Sequence, residues 1–199
     1  MPSLTIPWLA ESLQRLPKVL PGAVLLRGRR GLGKDVLAQA LARSALCERE
    51  NTLGQACGVC VGCQLFEAGT HPDYRELMPN PEEEEVPGGE ETAPAAKRAS
   101  EWIRVGAIRE LTSLAGMSAH RGKGRVVVIS PAEALHSSAA NALLKILEEP
   151  PASMHFLLVS HEPHRLLKTV LSRCFQLPVA APDEEAATAW LQAQGLEQP

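Results

Sequence analysis

Residues Gly28-Arg29-Arg30-Gly31-Leu32-Gly33-Lys34 form a glycine-rich loop ending in lysine, a pattern that fits very few places in a fold. In a phosphate-binding loop the glycines let successive backbone N–H groups converge on phosphate oxygens. The lysine adds positive charge, and a following Ser or Thr ligates magnesium. Such a loop must leave a strand and enter a helix. Ala23-Val24-Leu25-Leu26 is a short apolar run before it, and Val36-Leu37, Ala40-Leu41 and Ser44-Ala45 recur at helical spacing after it. The position after Lys34 holds Asp35 instead of a hydroxyl residue. A carboxylate suits the first turn of a helix but repels phosphate. Gly28, Gly31, Gly33 and Lys34 are therefore candidate nucleotide-binding residues in a degenerate loop. The blander alternative is a plain strand-to-helix turn.

A second strand bears on the same site. Arg125-Val126-Val127-Val128-Ile129 is a continuous β-branched run of the kind buried in a parallel sheet. A nucleotide-hydrolysing enzyme of this architecture needs an acid at the tip of such a strand, to hold magnesium and orient water. The tip here is Ser130-Pro131. Glu133, a little further on, reads as a solvated glutamate at a helix start. Two absent groups in one site argue against ATP binding and hydrolysis by this chain.

Four of the five cysteines, Cys47, Cys57, Cys60 and Cys63, fall within seventeen residues. In a cytosolic chain such a cluster points to metal before disulfide. The two C-x2-C steps place thiolates around a tight knuckle with Gly58 and Gly62 easing the turns, and Cys47 approaches from the end of the preceding helix. Four sulfurs complete a tetrahedral zinc shell with no open position, which makes the expected site structural. An iron–sulfur cluster is the rival, but that cluster's cysteine run continues to a further Cys and Pro, where this chain has Gln64-Leu65-Phe66-Glu67. Free buried thiols are the third reading. Cys174 stands apart and reads as a small buried hydrophobe.

Further elements follow by periodicity: an opening helix with Trp8, Leu9, Leu13 and Leu16, and a strand Tyr74-Arg75-Glu76-Leu77-Met78. Ile108, Leu111, Leu114 and Ala115 mark a helix face, and a strong helix over Ala139–Leu147 is stopped by Pro150-Pro151. Phe156–Ser160 reads as a buried strand, Pro163–Val170 as a helix and Phe175-Gln176-Leu177 as a last strand. Alternation of this kind predicts a doubly wound α/β domain ending near Pro178. A further Ala-rich helix opens at Pro182-Asp183-Glu184-Glu185, and one helix cannot make a domain. The chain is thus expected to be part of a longer protein.

Net charge is −3, yet Glu82, Glu83, Glu84, Glu85, Glu90 and Glu91 lie in one segment; without them 17 acids face 20 bases. That segment, 80–100, is rich in Pro and Gly, lacks apolar periodicity and is expected to be a mobile surface loop. The apolar runs are strand-sized and no basic-then-apolar leader opens the chain, so the expected location is the cytoplasm, with no membrane partner.

Residues Asn141-Ala142-Leu143-Leu144-Lys145-Ile146-Leu147-Glu148-Glu149-Pro150-Pro151 resemble a signature of bacterial clamp-loader subunits. Ser172-Arg173-Cys174 resembles the arginine-finger motif of the same family. The cysteine knuckle followed by Gly69-Thr70-His71-Pro72-Asp73 is similar to it too. The resemblance, to clamp-loader subunits of DNA polymerase III in the AAA+ class, spans nearly the whole chain. It implies an AAA+ type P-loop fold over 1–180: a parallel sheet flanked by helices, with a small zinc knuckle inserted at about 47–63. It also implies that 181–199 begin a helical lid, with a C-terminal collar absent. The implied role is that of a stator without intrinsic activity, a component of the DNA polymerase III holoenzyme. Its implied partners are the other subunits of a hetero-pentamer and, through that ring, the sliding clamp and primed DNA. Arg173 would then act in trans on a neighbour's ATP. The rival readings are an ATP-hydrolysing motor subunit of the same machine and a zinc-dependent nucleic-acid adaptor. The acidic segment is not accounted for by the resemblance.

Overall fold

The apolar runs become five parallel strands in a computed structural model that describes residues 6–79, 101–115, 119–121, 123–151 and 153–195. The segment expected to form an acidic surface loop lies outside the described residues. Helix α1 (Pro7–Gln14) leads into β1 (Ala23–Arg27), then α2 (Lys34–Ala45), α3 (Val61–Glu67) and β2 (Tyr74–Leu77). There follow α4 (Val105–Ala115), β3 (Arg125–Ile129), α5 (Ser137–Glu148), β4 (Met154–Ser160), α6 (Lys168–Leu171), β5 (Phe175–Pro178) and α7 (Glu184–Ala193). The sheet order is β2-β3-β4-β1-β5, so β1 lies inside the sheet between β4 and β5. Register pairs Leu25 with Leu158, and Val127 with Phe156.

Strand periodicity divides the core into two layers. Leu25, Val127, Ile129, Phe156 and Leu158 face α4 and α5, whose Ile108, Leu111, Leu143 and Ile146 complete one layer. Val24, Leu26, Val126, Val128, Leu157 and Val159 alternate to the other face and meet Leu9 of α1 and Leu37, Ala38, Leu41 and Ala42 of α2. With both faces covered, β3 is buried at all five positions, as its unbroken β-branched run requires. No helix among the described residues is long and apolar enough to cross a membrane.

Three sequence expectations are corrected. The buried stripe of α2 runs through Leu37, Ala38, Leu41 and Ala42, while Val36 is 40% exposed. Strand β2 stops at Leu77, leaving Met78 exposed. The helix expected over Pro163–Val170 is broken into a 3-10 turn at Pro163–Arg165 and the single turn α6. Between them Leu166 (ψ 149°) and Leu167 (ψ 133°) are extended. Leu166 packs into the core beside α5, and seating it there takes the chain out of helical geometry.

One buried ion fastens the edge of the sheet. The side chain of Asp73, directly before β2, is fully buried and accepts N–H groups from His120 at 2.9 Å and Arg121 at 3.0 Å. The Arg125 Nε lies 3.6 Å away. Burial pushes its pKa up, but the N–H groups of His120 and Arg121 outweigh this and hold the carboxyl below its ordinary value. Asp73→Asn should cost about 2–4 kcal/mol in urea denaturation, since it removes a buried carboxylate charge that faces the buried Arg125 and accepts two backbone N–H groups. A folded pKa below the unfolded one makes this stabilisation complete above about pH 4 and lost as pH falls through the folded value. The gap between wild type and Asp73→Asn should therefore close in acid; a gap equally wide at pH 3 and pH 7 would refute the assignment.

Candidate functional site

At the C-terminal edge of the sheet, β1 runs into the glycine loop and the loop into α2. Gly31 and Gly33 adopt positive φ, 87° and 81°, which side-chain-bearing residues resist. Gly28 is needed for a different reason: a Cβ there would lie 2.5 Å from the carbonyl oxygen of Val179. Helix α1 braces the loop, with the Trp8 indole N–H donating to the Leu32 carbonyl at 3.0 Å. Trp190 of α7 in turn packs edge-on against Trp8, ring centroids 5.6 Å apart. The strand–loop–helix context that the motif demands is present.

Lys34 does not reach outward. It is 1% exposed, and its Nζ donates to the Arg29 carbonyl at 2.7 Å, across the loop's own turn. Burial pushes its pKa down, against the pull of Asp35 and Glu133. Asp35 accepts a 2.6 Å hydrogen bond from the Ser130 hydroxyl at the tip of β3. A magnesium-dependent phosphate site places the hydroxyl on the loop and the carboxylate on this strand. Here the same two groups are present on each other's elements. Read separately in the sequence, Asp35 and Ser130 are two losses; in space they are one exchanged pair.

Glu133 corrects another expectation in part: it stands in the first turn of a 3-10 helix (Ala132–Ala134), as expected, but is half-buried instead of solvated. Its Oε1 accepts the N–H groups of His161 at 2.9 Å and Glu162 at 3.3 Å, fixing the chain as it leaves β4. Its Oε2 is buried without a partner among the described residues, as is Nδ1 of His161. Burial pushes the pKa of His161 down, aided by Lys34 and opposed by Glu133 and Asp35. Neither His161 nor the role of Glu133 was legible in sequence, where no motif position marks them.

The four cysteines converge as their spacing predicts. Cys47 follows α2, Cys57 and Cys60 lie on the knuckle, and Cys63 is on α3. All four sulfurs lie within 4.8 Å of one another. The Cys47–Cys60 and Cys57–Cys63 separations are both 3.9 Å. A tetrahedron with metal–sulfur bonds of about 2.3 Å has edges of about 3.8 Å, so the set fits zinc. N–H groups of Glu48, Cys57, Cys60 and Cys63 point at these sulfurs at 3.4–3.5 Å, an arrangement that favours thiolates. Burial raises the Cys47 pKa, but hydrogen bonds led by the Cys57 N–H bring it down to about 6, while burial pushes Cys63 up to about 12. Gly58 makes its turn with φ 74°, as expected; Gly62 instead lies within α3, where a Cβ would sit 2.7 Å from the Leu46 carbonyl oxygen. Cys174 is a buried thiol far from this cluster in sequence, its pKa raised to about 11 by burial.

Arg173 follows α6 on the protein surface, its side chain 32% exposed. One terminal nitrogen donates to the Thr169 carbonyl at 3.1 Å, and the other to Glu148 Oε1 at 2.7 Å. It therefore caps the short helix and carries an ion pair while staying accessible.

Comparison with known proteins resolves the family. A family profile described as DNA polymerase III, delta subunit matches residues 6–183. A protein of Pseudomonas aeruginosa, DNA polymerase III subunit delta-prime, is 44% identical over 169 residues, covering 85% of this chain and 46% of that protein. The chain belongs to the DNA polymerase III delta-prime family. The delta-prime subunit of Escherichia coli is 38% identical over 190 residues, 93% of this chain and 52% of its own length. The chain thus spans about half the length of these delta-prime relatives. The E. coli tau subunit is more partial, 35% identical over 82% of this chain and 22% of its own. Among solved structures, a gamma-subunit-related protein of Thermotoga maritima superposes with a TM-score of 0.51 at 18% identity, over 94% of this chain and 54% of that one. That likeness supports the AAA+ fold.

Proposed function

We propose that this chain is the nucleotide-fold part of a non-hydrolysing delta-prime subunit. Within a clamp loader it organises the ring that places a sliding clamp on primed DNA. The carrying observation is the Asp35–Ser130 pair: the carboxylate that replaces the magnesium ligand is held by the residue that replaces the strand-tip acid. Lys34, folded onto Arg29, is withheld from the loop mouth. With its own site closed in this way, the chain contributes through Arg173, whose guanidinium completes the ATP site of a neighbouring subunit. A planar, permanently charged group of this kind stabilises charge on a transferring phosphoryl group. The four cysteines hold a structural zinc, with no open coordination position and no part in a reaction. Helix α7 begins a lid domain.

Nucleotide binding tests the closed site. The isolated chain should show no magnesium-dependent ATP binding or hydrolysis, and neither Asp35→Thr nor Ser130→Asp alone should restore binding. The double variant returns both groups to their usual elements and should gain magnesium-dependent binding, read by calorimetry. Steady-state hydrolysis by the unaltered chain, abolished by Lys34→Ala, would establish the motor-subunit reading instead. The nucleic-acid adaptor reading has little to stand on: Val59 and Val61 are the exposed large hydrophobics of the knuckle, positions 56–63 include no basic residue, and Arg49 is the one basic residue between Cys47 and Cys63.

A further inference from the structure

Glu148 is the last residue of α5, where a negative charge opposes the helix dipole. What offsets it is Arg173, arriving from α6 to bond its Oε1 at 2.7 Å. The guanidinium is thus held from two separate elements, by the Glu148 carboxylate and the Thr169 carbonyl, each through a different terminal nitrogen. Among the described residues, its Nε–H and the second hydrogen of each terminal nitrogen are left over for an incoming anion.

We propose that Glu148 is the positioning residue for Arg173, fixing the guanidinium in the orientation in which it meets the neighbouring subunit's phosphate. This rests on the reading of Arg173 as a finger acting in trans. An unanchored arginine samples many rotamers, and a contact that orders it only on arrival loses rate to entropy and misplacement. An arginine already held through both terminal nitrogens presents its remaining hydrogens preorganised. The side chains are 32% and 54% exposed, so the pair is accessible to a partner and screened by water. An exposed pair of this kind contributes little to folding, which allows its effect on rate to be separated from any effect on stability.

The experiment uses the full-length subunit assembled with its partner clamp-loader subunits, with clamp and primed DNA. Single-turnover ATP hydrolysis is compared for wild type, Glu148→Ala, Glu148→Gln, Arg173→Ala and the double alanine variant. Glu148→Ala should slow the phase that depends on Arg173 by about fivefold with the ATP concentration for half-saturation unchanged, because orientation and not ground-state binding is lost. Glu148→Gln, which keeps an acceptor oxygen in place, should recover at least half of the lost rate. The double variant should be no slower than Arg173→Ala alone. An unchanged or faster Glu148→Ala beside a slow Arg173→Ala overturns the positioning role and leaves the finger standing. So does a glutamine variant with no recovery. An unchanged Arg173→Ala overturns the finger and this proposal with it.

Discussion

Replacing Arg173 with alanine in the full-length subunit should slow ATP hydrolysis at one interface of the reconstituted clamp loader by about 10³-fold or more, the scale set by arginine fingers supplied in trans. The effect is large because the guanidinium is always charged and acts where the phosphoryl group gains charge in the transition state. It is also local. On the proposed reading, ring sites that Arg173 does not reach are unaffected, so the steady-state rate should fall only by one interface's share. Single-turnover kinetics should show one phase lost and the others intact. Arg173→Lys keeps a charge but not the planar fork and should fall between wild type and alanine.

Folding gives no alternative explanation for such a loss. Arg173 is a surface residue whose visible partners are one carbonyl and one half-exposed glutamate. Its removal uncaps a four-residue helix, with the core residues Val170 and Cys174 on either side left untouched. The variant should assemble with its partners to the same extent as wild type. Undiminished hydrolysis by a correctly assembled Arg173→Ala complex would remove the trans-arginine role from this chain.

Legibility in the sequence followed the range of each interaction. Strands β1, β3 and β4 could be read because burial on both faces demands unbroken apolar runs, and the cysteine cluster because its ligands are close in sequence. Asp35 and Ser130 were each recognised as departures, but they lie 95 residues apart, and nothing local says that one side chain holds the other. The half-burial of Glu133 is hidden from the sequence for the same reason, its partners being 28 and 29 residues away. The break before α6 was missed because Leu166 and Leu167 suit a helix by propensity, and only the core beside α5 takes Leu166 out of one. The rotated face of α2 has a similar origin. Val36 is apolar and correctly spaced, yet the sheet presents itself to Leu37 and Ala38.

Metal removal should have the largest effect on stability. The purified protein should contain about one zinc per chain, and Cys63→Ser should both abolish stoichiometric metal and destabilise the protein by about 4 kcal/mol or more, the range in which loss of a structural metal falls. Cys63 is 1% exposed and Cys47 2%, while Cys57 is half-buried, so without a metal the thiols would lose a common partner in a site largely closed to water. The damage should spread along one route. Cys47 is followed by Glu48, whose carboxylate accepts from Arg121 Nε at 2.6 Å, and the N–H of Arg121 bonds Asp73 at the head of β2. Hydrogen exchange on the chelated protein should therefore accelerate across the knuckle, α3 and the start of β2, while the central strands β1, β3 and β4 retain protection. Their two-sided core, built from Leu25, Val127 and Phe156 on one face and Val24, Val128 and Leu157 on the other, makes no use of the four knuckle cysteines. A metal-free protein as stable as the zinc-loaded one, or exchange that rises uniformly over the whole sheet, would remove the knuckle's structural role.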